Sequence, residues 1–527
     1  MFNRRKTKMS NMFLLTILAV VAVIFLGGCA SVVHSTKNLP DDYTEIADPP
    51  LVMPEFDVCS SNIGSVYSKE LKDNPDGSGA VLIENGVYAL LHRVALARMA
   101  KYTIELQTYI YENDLVSRLL MRELKAAADR GVIVRIIVDD NGLDSDHSDI
   151  MTLDYHPNIE VKVFNPFKYR SRALRYPQYA VDLPRVNYRM HNKLYIVDGI
   201  ATIIGGRNVA ANYFDANAVM NFSDTDVLFI GKIAKDSLES FNKYWDYHKS
   251  VPARAFPDQN KPHRLNEIDA EIAQMEVEHP VEYMKYQRLI DEFILHYNAK
   301  DYEIYWGNGT VIADNPDKSE GHGEKSPIMT ALQYLWSITE KSVYISSAYL
   351  VPGMKGTQNI IDAAKKGLEV NILTNSLSST DAFIVYSVWR KYRDMLVSNG
   401  INVYEFRSEG YKVKSQISSG ASLHSKAIVF DDKISWVGSF NLDPRSADIN
   451  TEVVAAFNCP EFAVKLRENI EKDMSPEHSW HLTGKKGNII WTTVRDGKEE
   501  VFDRSPDTSL GTRFLMMLMT LVPEGMI

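Results

Sequence analysis

His191-Asn192-Lys193-Leu194-Tyr195-Ile196-Val197-Asp198, followed by Gly205-Gly206-Arg207-Asn208, returns later in the chain as His424-Ser425-Lys426-Ala427-Ile428-Val429-Phe430-Asp431, followed by Gly438-Ser439-Phe440-Asn441. Histidine and asparagine stand 17 positions apart in both. One His-x-Lys-x4-Asp match among 13 histidines carries little weight, but two with the same glycine and asparagine extensions mark a duplicated unit. The apolar residues after each lysine read as a buried strand. Residues two apart on a strand share a face, so each histidine points with its own lysine.

The surroundings repeat as well. Tyr102 to Tyr111 alternates as a strand, Asp114 to Arg130 has helical periodicity, and Gly131 precedes the apolar run Val132 to Val138. Ser342 to Leu350, Thr357 to Lys366, Gly367 and Val370 to Leu373 give a second strand-helix-strand unit. Alternating strands and helices predict an α/β protein of two similar halves that face each other, each with a parallel or mixed sheet between helices.

The motif residues suit chemistry on a phosphodiester. Such a group gains negative charge in its transition state, which Lys193, Lys426, Asn208 and Asn441 can cradle. Two imidazoles can then divide the work: one attacks phosphorus, and the other protonates the departing alkoxide and later deprotonates the acceptor. No metal or other cofactor is required. Asp198 and Asp431 complete the motifs and are counted with the catalytic residues, although both read as structural.

The N-terminus sets Arg4, Arg5, Lys6 and Lys8 before an apolar run, Met12 to Leu26, and Leu26-Gly27-Gly28-Cys29. That pattern resembles a lipoprotein export signal with Cys29 as the lipidated residue; the alternative is an uncleaved signal anchor. Both place the chain on a membrane, and lipidation implies the periplasm or the cell surface. Removing residues 1–28 takes four positive charges away and moves the formal charge from −10 to −14. An acidic body disfavours nucleic acid as a partner. Cys59 and Cys459 form neither a metal-ligand spacing nor a redox pair.

Together the two motifs and their flanks resemble the phospholipase D superfamily, and within it the bacterial cardiolipin synthases, especially type C. The flanking segments that carry this include Gln107-Thr108-Tyr109, Asp139-Asp140-Asn141, Phe164-Asn165-Pro166-Phe167, Asp224-Thr225-Asp226, Asp443-Pro444-Arg445-Ser446 and Asn450-Thr451-Glu452. The resemblance spans most of residues 80–527. It implies the phospholipase D fold with its active site at the lobe interface, His191 as nucleophile and His424 as general acid and base. It also implies Asp226 and Glu452 as the carboxylates that orient the imidazoles, and membrane phospholipids as substrates: phosphatidylglycerol, with phosphatidylethanolamine as a further candidate donor. The expected activity is transfer of a phosphatidyl group to phosphatidylglycerol; the alternative is hydrolysis to phosphatidic acid. Where related sequences carry His-Ala-Gly-Tyr, this chain has Tyr386-Ser387-Val388-Trp389, a departure that points to a different donor or acceptor preference.

The expected organisation is a signal (1–28), a tether (29–60), a first lobe (61–256), a polar connecting region read as linker or lid (257–325), a second lobe (326–480) and a tail (481–527). The apolar end of the tail suits an interfacial helix or a core-docked one. Two features stay open between function and packing. Lys168, Arg170, Arg172, Arg175, Arg185 and Arg189 either attract anionic headgroups or form a solvated face. Tyr109, Tyr111, Tyr349 and Trp389 either line a lipid groove or belong to the core.

Overall fold

The computed structural model describes residues 51–54, 60–143, 149–170, 175, 177–256, 262–278, 280–299, 302–321, 326–409, 420–495 and 497–519. The proposed signal, Cys29, Cys59 and most of the tether lie outside the described residues.

In the first lobe the strands are β1 (Gly77–Ile83), β2 (Thr103–Tyr111), β3 (Ile133–Leu143), β4 (Ile159–Phe164), β5 (Leu194–Val197), β6 (Ala201–Gly205), β7 (Met220–Ser223), β8 (Asp226–Gly231) and β9 (Ser250–Pro252). Those that follow are β10 (Tyr305–Ala313), β11 (Ser342–Ser347), β12 (Glu369–Asn375), β13 (Asn402–Phe406), β14 (Gly420–Leu423), β15 (Lys426–Phe430), β16 (Ile434–Gly438), β17 (Val453–Asn458), β18 (Ser479–Lys485), β19 (Asn488–Arg495) and β20 (Lys498–Phe502). The expected strand-helix-strand units are β2, helix Leu115–Asp129 and β3, then β11, helix Gly353–Lys365 and β12. Asp114 caps the first helix, accepting from the Ser117 N–H at 2.9 Å. Both helices stop the same way: Gly131 (φ 98°) and Gly367 (φ 100°) take the left-handed turn that a side chain would strain.

Each lobe is a mixed sheet. The row runs β9-β4-β3-β2-β5-β6-β8-β1 in the first lobe, with β2, β3 and β4 parallel. In the second it runs β10-β17-β16-β15-β11-β12-β13-β18-β19-β20, with β11, β12 and β13 parallel. Because β10 also pairs with β1, the two rows join into one ladder of 18 strands. An apolar core lies between the lobes, where Phe229 of β8 meets Phe457 of β17 edge to face at 5.5 Å.

Within the connecting region 257–325 the described residues include helices Pro262–Glu278 and Pro280–Ala299, with Ile268, Ile272, Ile290 and Phe293 buried against the first lobe, and β10, which joins the sheets. At the start of the tail, β18 crosses the expected boundary at 480, and β19 and β20 extend the second sheet. The helix Leu510–Met519 docks Met516 on helix Phe383–Ser398 and leaves Leu510, Phe514 and Leu515 exposed. Among the described residues no helix is long and apolar enough to cross a membrane.

Candidate active site

The two motifs meet where the lobes face each other. Each histidine precedes a buried strand, and a backbone contact from the other lobe fixes it. The His191 N–H donates to the Thr451 carbonyl at 2.9 Å, and the His424 N–H to the Ser223 carbonyl at 2.7 Å. Around the second contact β7 and β14 pair in parallel; around the first, Met190 bridges Thr451.

This crossing decides which carboxylate meets which ring. His191 Nδ1 lies 2.8 Å from Glu452 Oε2, and His424 Nδ1 lies 2.6 Å from Asp224 Oδ2. A carboxylate accepts only, so each Nδ1 carries the hydrogen and each Nε2 keeps its lone pair for the site. Asp226 is thus corrected as a histidine-orienting residue. It forms ion pairs with Arg93 at 2.9 Å and Arg207 at 3.6 Å, fully buried in the first lobe. Register is the cause: Gly205 pairs with Asp226 and Gly438 with Val454, so Asp226 answers to Val454, and Asp224 answers to Glu452. Each carboxylate thus serves the histidine of the other half.

The lysines stand beside the rings. Lys193 Nζ donates to the His191 carbonyl at 2.7 Å, and Lys426 Nζ bonds the His424 carbonyl in the same way. Burial pulls His191 down to about 4, against the pull of Glu452, and Lys193 down to about 7. His424 is held well below its usual range by burial and by Lys426, and Lys426 is lowered by burial. Burial raises Asp224, whereas Glu452 withstands burial because His191 holds its carboxyl below the ordinary value.

Asn208 donates to the Tyr213 hydroxyl at 2.8 Å and accepts from the Ile110 N–H at 3.2 Å. Asn441 keeps a buried Oδ1 with no hydrogen-bond partner among the described residues, on a loop where its N–H donates to Ser446 Oγ at 3.3 Å. Asp198 and Asp431 are corrected as catalytic residues. Each sits at the far end of its strand from the histidine, and each accepts backbone N–H bonds: Asp198 from Lys101, Tyr102 and Thr103, Asp431 from Glu340, Lys341 and Ser342. Their φ values of 51° and 54° suit the short turns they open.

Of the aromatic candidates, Tyr109 packs edge-on to His191 at 5.3 Å; Tyr213 and Phe222, which the sequence did not single out, lie 5.1 Å from His424. By contrast, Tyr111 and Trp389 are buried in their lobes. Tyr386 and Trp389 of the departing segment gather with Trp491 around Glu405 in the second lobe. Half of the basic cluster is buried inside the lobe, where Arg170 pairs with Asp140 at 2.6 Å, Arg189 with Asp139 at 3.3 Å, and Arg175 donates to the Leu143 carbonyl at 2.8 Å; Arg185 pairs with Asp182 at 2.7 Å near the surface, and Lys168 is exposed. Arg172 lies outside the described residues. Among the described residues no group of three or more His, Cys, Asp or Glu is placed to hold a metal ion.

A family profile described as "Cardiolipin synthase, PLD-like domain" matches residues 94–245 and 335–474. The chain is 32% identical to cardiolipin synthase C of Escherichia coli (strain K12), over 85% of this chain and 96% of that one. It is 43% identical to a Helicobacter pylori (strain ATCC 700392 / 26695) protein described only as uncharacterized, over 96% of this chain and 99% of that one. Among solved structures, phosphatidylserine synthase of Haemophilus influenzae Rd KW20 shares the fold, with a TM-score of 0.53 at 12% identity, over 76% of this chain and 87% of that one.

Proposed function

The chain belongs to the cardiolipin synthase, PLD-like domain family of the phospholipase D superfamily, and from that premise we propose that it transfers a phosphatidyl group from a donor phospholipid to the free hydroxyl of phosphatidylglycerol, giving cardiolipin. One observation carries the reading: two buried imidazoles, each aimed by the carboxylate of the opposite lobe, flank a pair of lysines. Nε2 of His191 attacks phosphorus, and the P–O bond to the donor headgroup breaks as His424, protonated on entry of the anionic substrate, gives its proton to the leaving alkoxide. His424 then takes the proton from the acceptor hydroxyl, whose oxygen displaces the phosphohistidine. Glycerol leaves when the donor is phosphatidylglycerol.

Lys193 and Lys426 hold the phosphoryl oxygens, and the amides of Asn208 and Asn441 complete the cradle. Both histidine side chains are largely buried, His191 at 11% and His424 at 7% exposure, so bulk water has little direct access to the rings. The protein works at a membrane, held by acyl chains on Cys29, at the periplasmic face or the cell surface.

The test is incubation of the mature protein with labelled phosphatidylglycerol or phosphatidylethanolamine in mixed micelles. Cardiolipin formation, reduced roughly 10^4-fold or more in His191→Ala, is the expected result. Phosphatidic acid as sole product would replace transfer by hydrolysis. Labelled protein that accumulates in His191→Ala but not in His424→Ala would reverse the two histidines' roles.

A further inference from the structure

The region between the lobes holds a buried ion pair that the mechanism above does not use. Asp314, directly after β10, lies 2.8 Å from Lys318 Nζ, with side-chain exposures of 1% and 8%. Its Oδ2 also accepts from the Glu452 N–H at 3.1 Å, while the Asp314 N–H donates to the Glu452 carbonyl at 3.0 Å. Its Oδ1 accepts from Ser326 Oγ at 2.6 Å, and its carbonyl accepts from the Tyr244 hydroxyl at 2.7 Å. Lys318 donates in turn to the Ser446 carbonyl at 3.0 Å, and Ser446 Oγ accepts from the Asn441 N–H. One buried pair therefore grips the backbone of Glu452 on both sides and props the loop that carries Asn441.

The first repeat lacks this brace. Ile83 pairs with Asp226 and Ile312 with Val454, so the register equivalent of Asp314 is Asn85. Asn85 caps helix Gly86–Met99 by accepting from the Tyr88 N–H at 2.9 Å. Asp224 is fastened from another side, where Arg207 donates to its backbone carbonyl at 2.6 Å.

We propose that Asp314, paired with Lys318, is a positioning residue that fixes Glu452 and through it the tautomer and aim of His191, so that the connecting region completes one of the two half-sites. A buried charged pair is a costly way to secure fold alone, and a carboxylate fastened behind a ring-orienting carboxylate limits the swing of that ring. The inference rests on reading His191 and Glu452 as a reacting pair.

The test uses the mature protein with Asp314→Asn/Lys318→Met, which removes both charges without stranding either, and Ser326→Ala, which removes one bond. Ring 15N shifts at neutral pH report the His191 tautomer without any turnover. In the double variant we expect the Nδ1–H form of His191 to give way to a mixture, His424 to keep its tautomer, and kcat to fall roughly 10- to 100-fold with KM unchanged. Ser326→Ala should move the same readouts less, and Asn85→Ala should lower thermal stability without moving them. An unchanged tautomer with kcat within about twofold of wild type overturns the proposal. So does loss of folding in the double variant combined with a wild-type tautomer in Ser326→Ala, which would assign the pair to stability. If the wild type forms neither cardiolipin nor phosphatidic acid, the proposed function fails, and the tautomer still decides the role of Asp314.

Discussion

Glu452 and Asp224 stand in equivalent register and aim equivalent rings, yet they are secured by opposite means. Glu452 accepts from Ser439 Oγ at 2.5 Å, and its backbone is gripped by Asp314. Among the described residues no serine hydroxyl bonds the Asp224 carboxylate; the position matching Ser439 is Gly206, where even a Cβ would fall 2.3 Å from Asp224 Oδ1. Two motifs of the same chemical formula thus become unequal through what stands behind them. A long carboxylate with a hydroxyl below it serves one ring, and a short carboxylate against bare backbone serves the other. The duplicated sequence supplies symmetry, and the surrounding residues break it.

The most severe way to probe this difference is to neutralise the carboxylates. Glu452→Gln and Asp224→Asn leave amides that can offer an N–H where the ring needs an acceptor, so each should lower kcat by roughly 10^2- to 10^4-fold. If the half-sites have separate roles, pre-steady-state kinetics will show Glu452→Gln slowing formation of the labelled protein. Equal slowing of every step by both variants would erase the distinction.

Exchanging the supports sharpens it further. Gly206→Ser copies Ser439 into the first repeat and forces a Cβ against Asp224, so kcat should fall at least about tenfold. Ser439→Gly deletes one hydrogen bond to Glu452 and should cost only a few-fold, about 1 kcal/mol. Steady-state kinetics of the two variants, each checked for folding by circular dichroism, would show whether the supports are interchangeable.

The lysines provide a comparison in pH. Lys193 is pulled down to about 7, so kcat/KM should decline as pH rises through that value, by about tenfold per unit in the limit, as the cradle loses a charge. The sign for stability runs the other way. Between about 7 and the ordinary 10.5 the unfolded chain holds a proton that the folded one has released, so this group's contribution grows with rising pH and is absent below 7. Lys193→Met should therefore abolish turnover yet raise Tm by roughly 2–4 °C at pH 7, with the gain shrinking toward pH 10, as read by calorimetry.

The smallest effects belong to the last residue of each motif. Asp198 is fully buried and Asp431 is half-buried, and each satisfies three backbone N–H groups. Asp198→Ala should cost about 2–3 kcal/mol of stability and Asp431→Ala about 1 kcal/mol, with kcat of the folded fraction little changed. Urea denaturation compared with specific activity separates these outcomes.

The repeat was legible because its signals are local: motif spacing, apolar runs, and glycines that end equivalent helices. The identity of the orienting carboxylates was not. Asp224 and Asp226 share one short segment, and the distance from motif asparagine to carboxylate differs between repeats, 16 positions to Asp224 and 11 to Glu452. Only the pairing of Gly205 with Asp226 and of Gly438 with Val454 separates them, and strand register between distant segments leaves no mark in either segment alone. The same holds for Arg170 and Arg189, whose partners Asp140 and Asp139 lie 30 and 50 residues away. A cluster of positive residues looks alike whether it faces water or closes a set of ion pairs.

Duplication ordinarily leaves a spare, since one copy can decay while the other carries on. The exchange of carboxylates across the lobes removes that freedom. Each copy owns a ring that only its twin can aim, so damage to either disarms both, and the two halves have become heirs to a single inheritance that neither can spend alone.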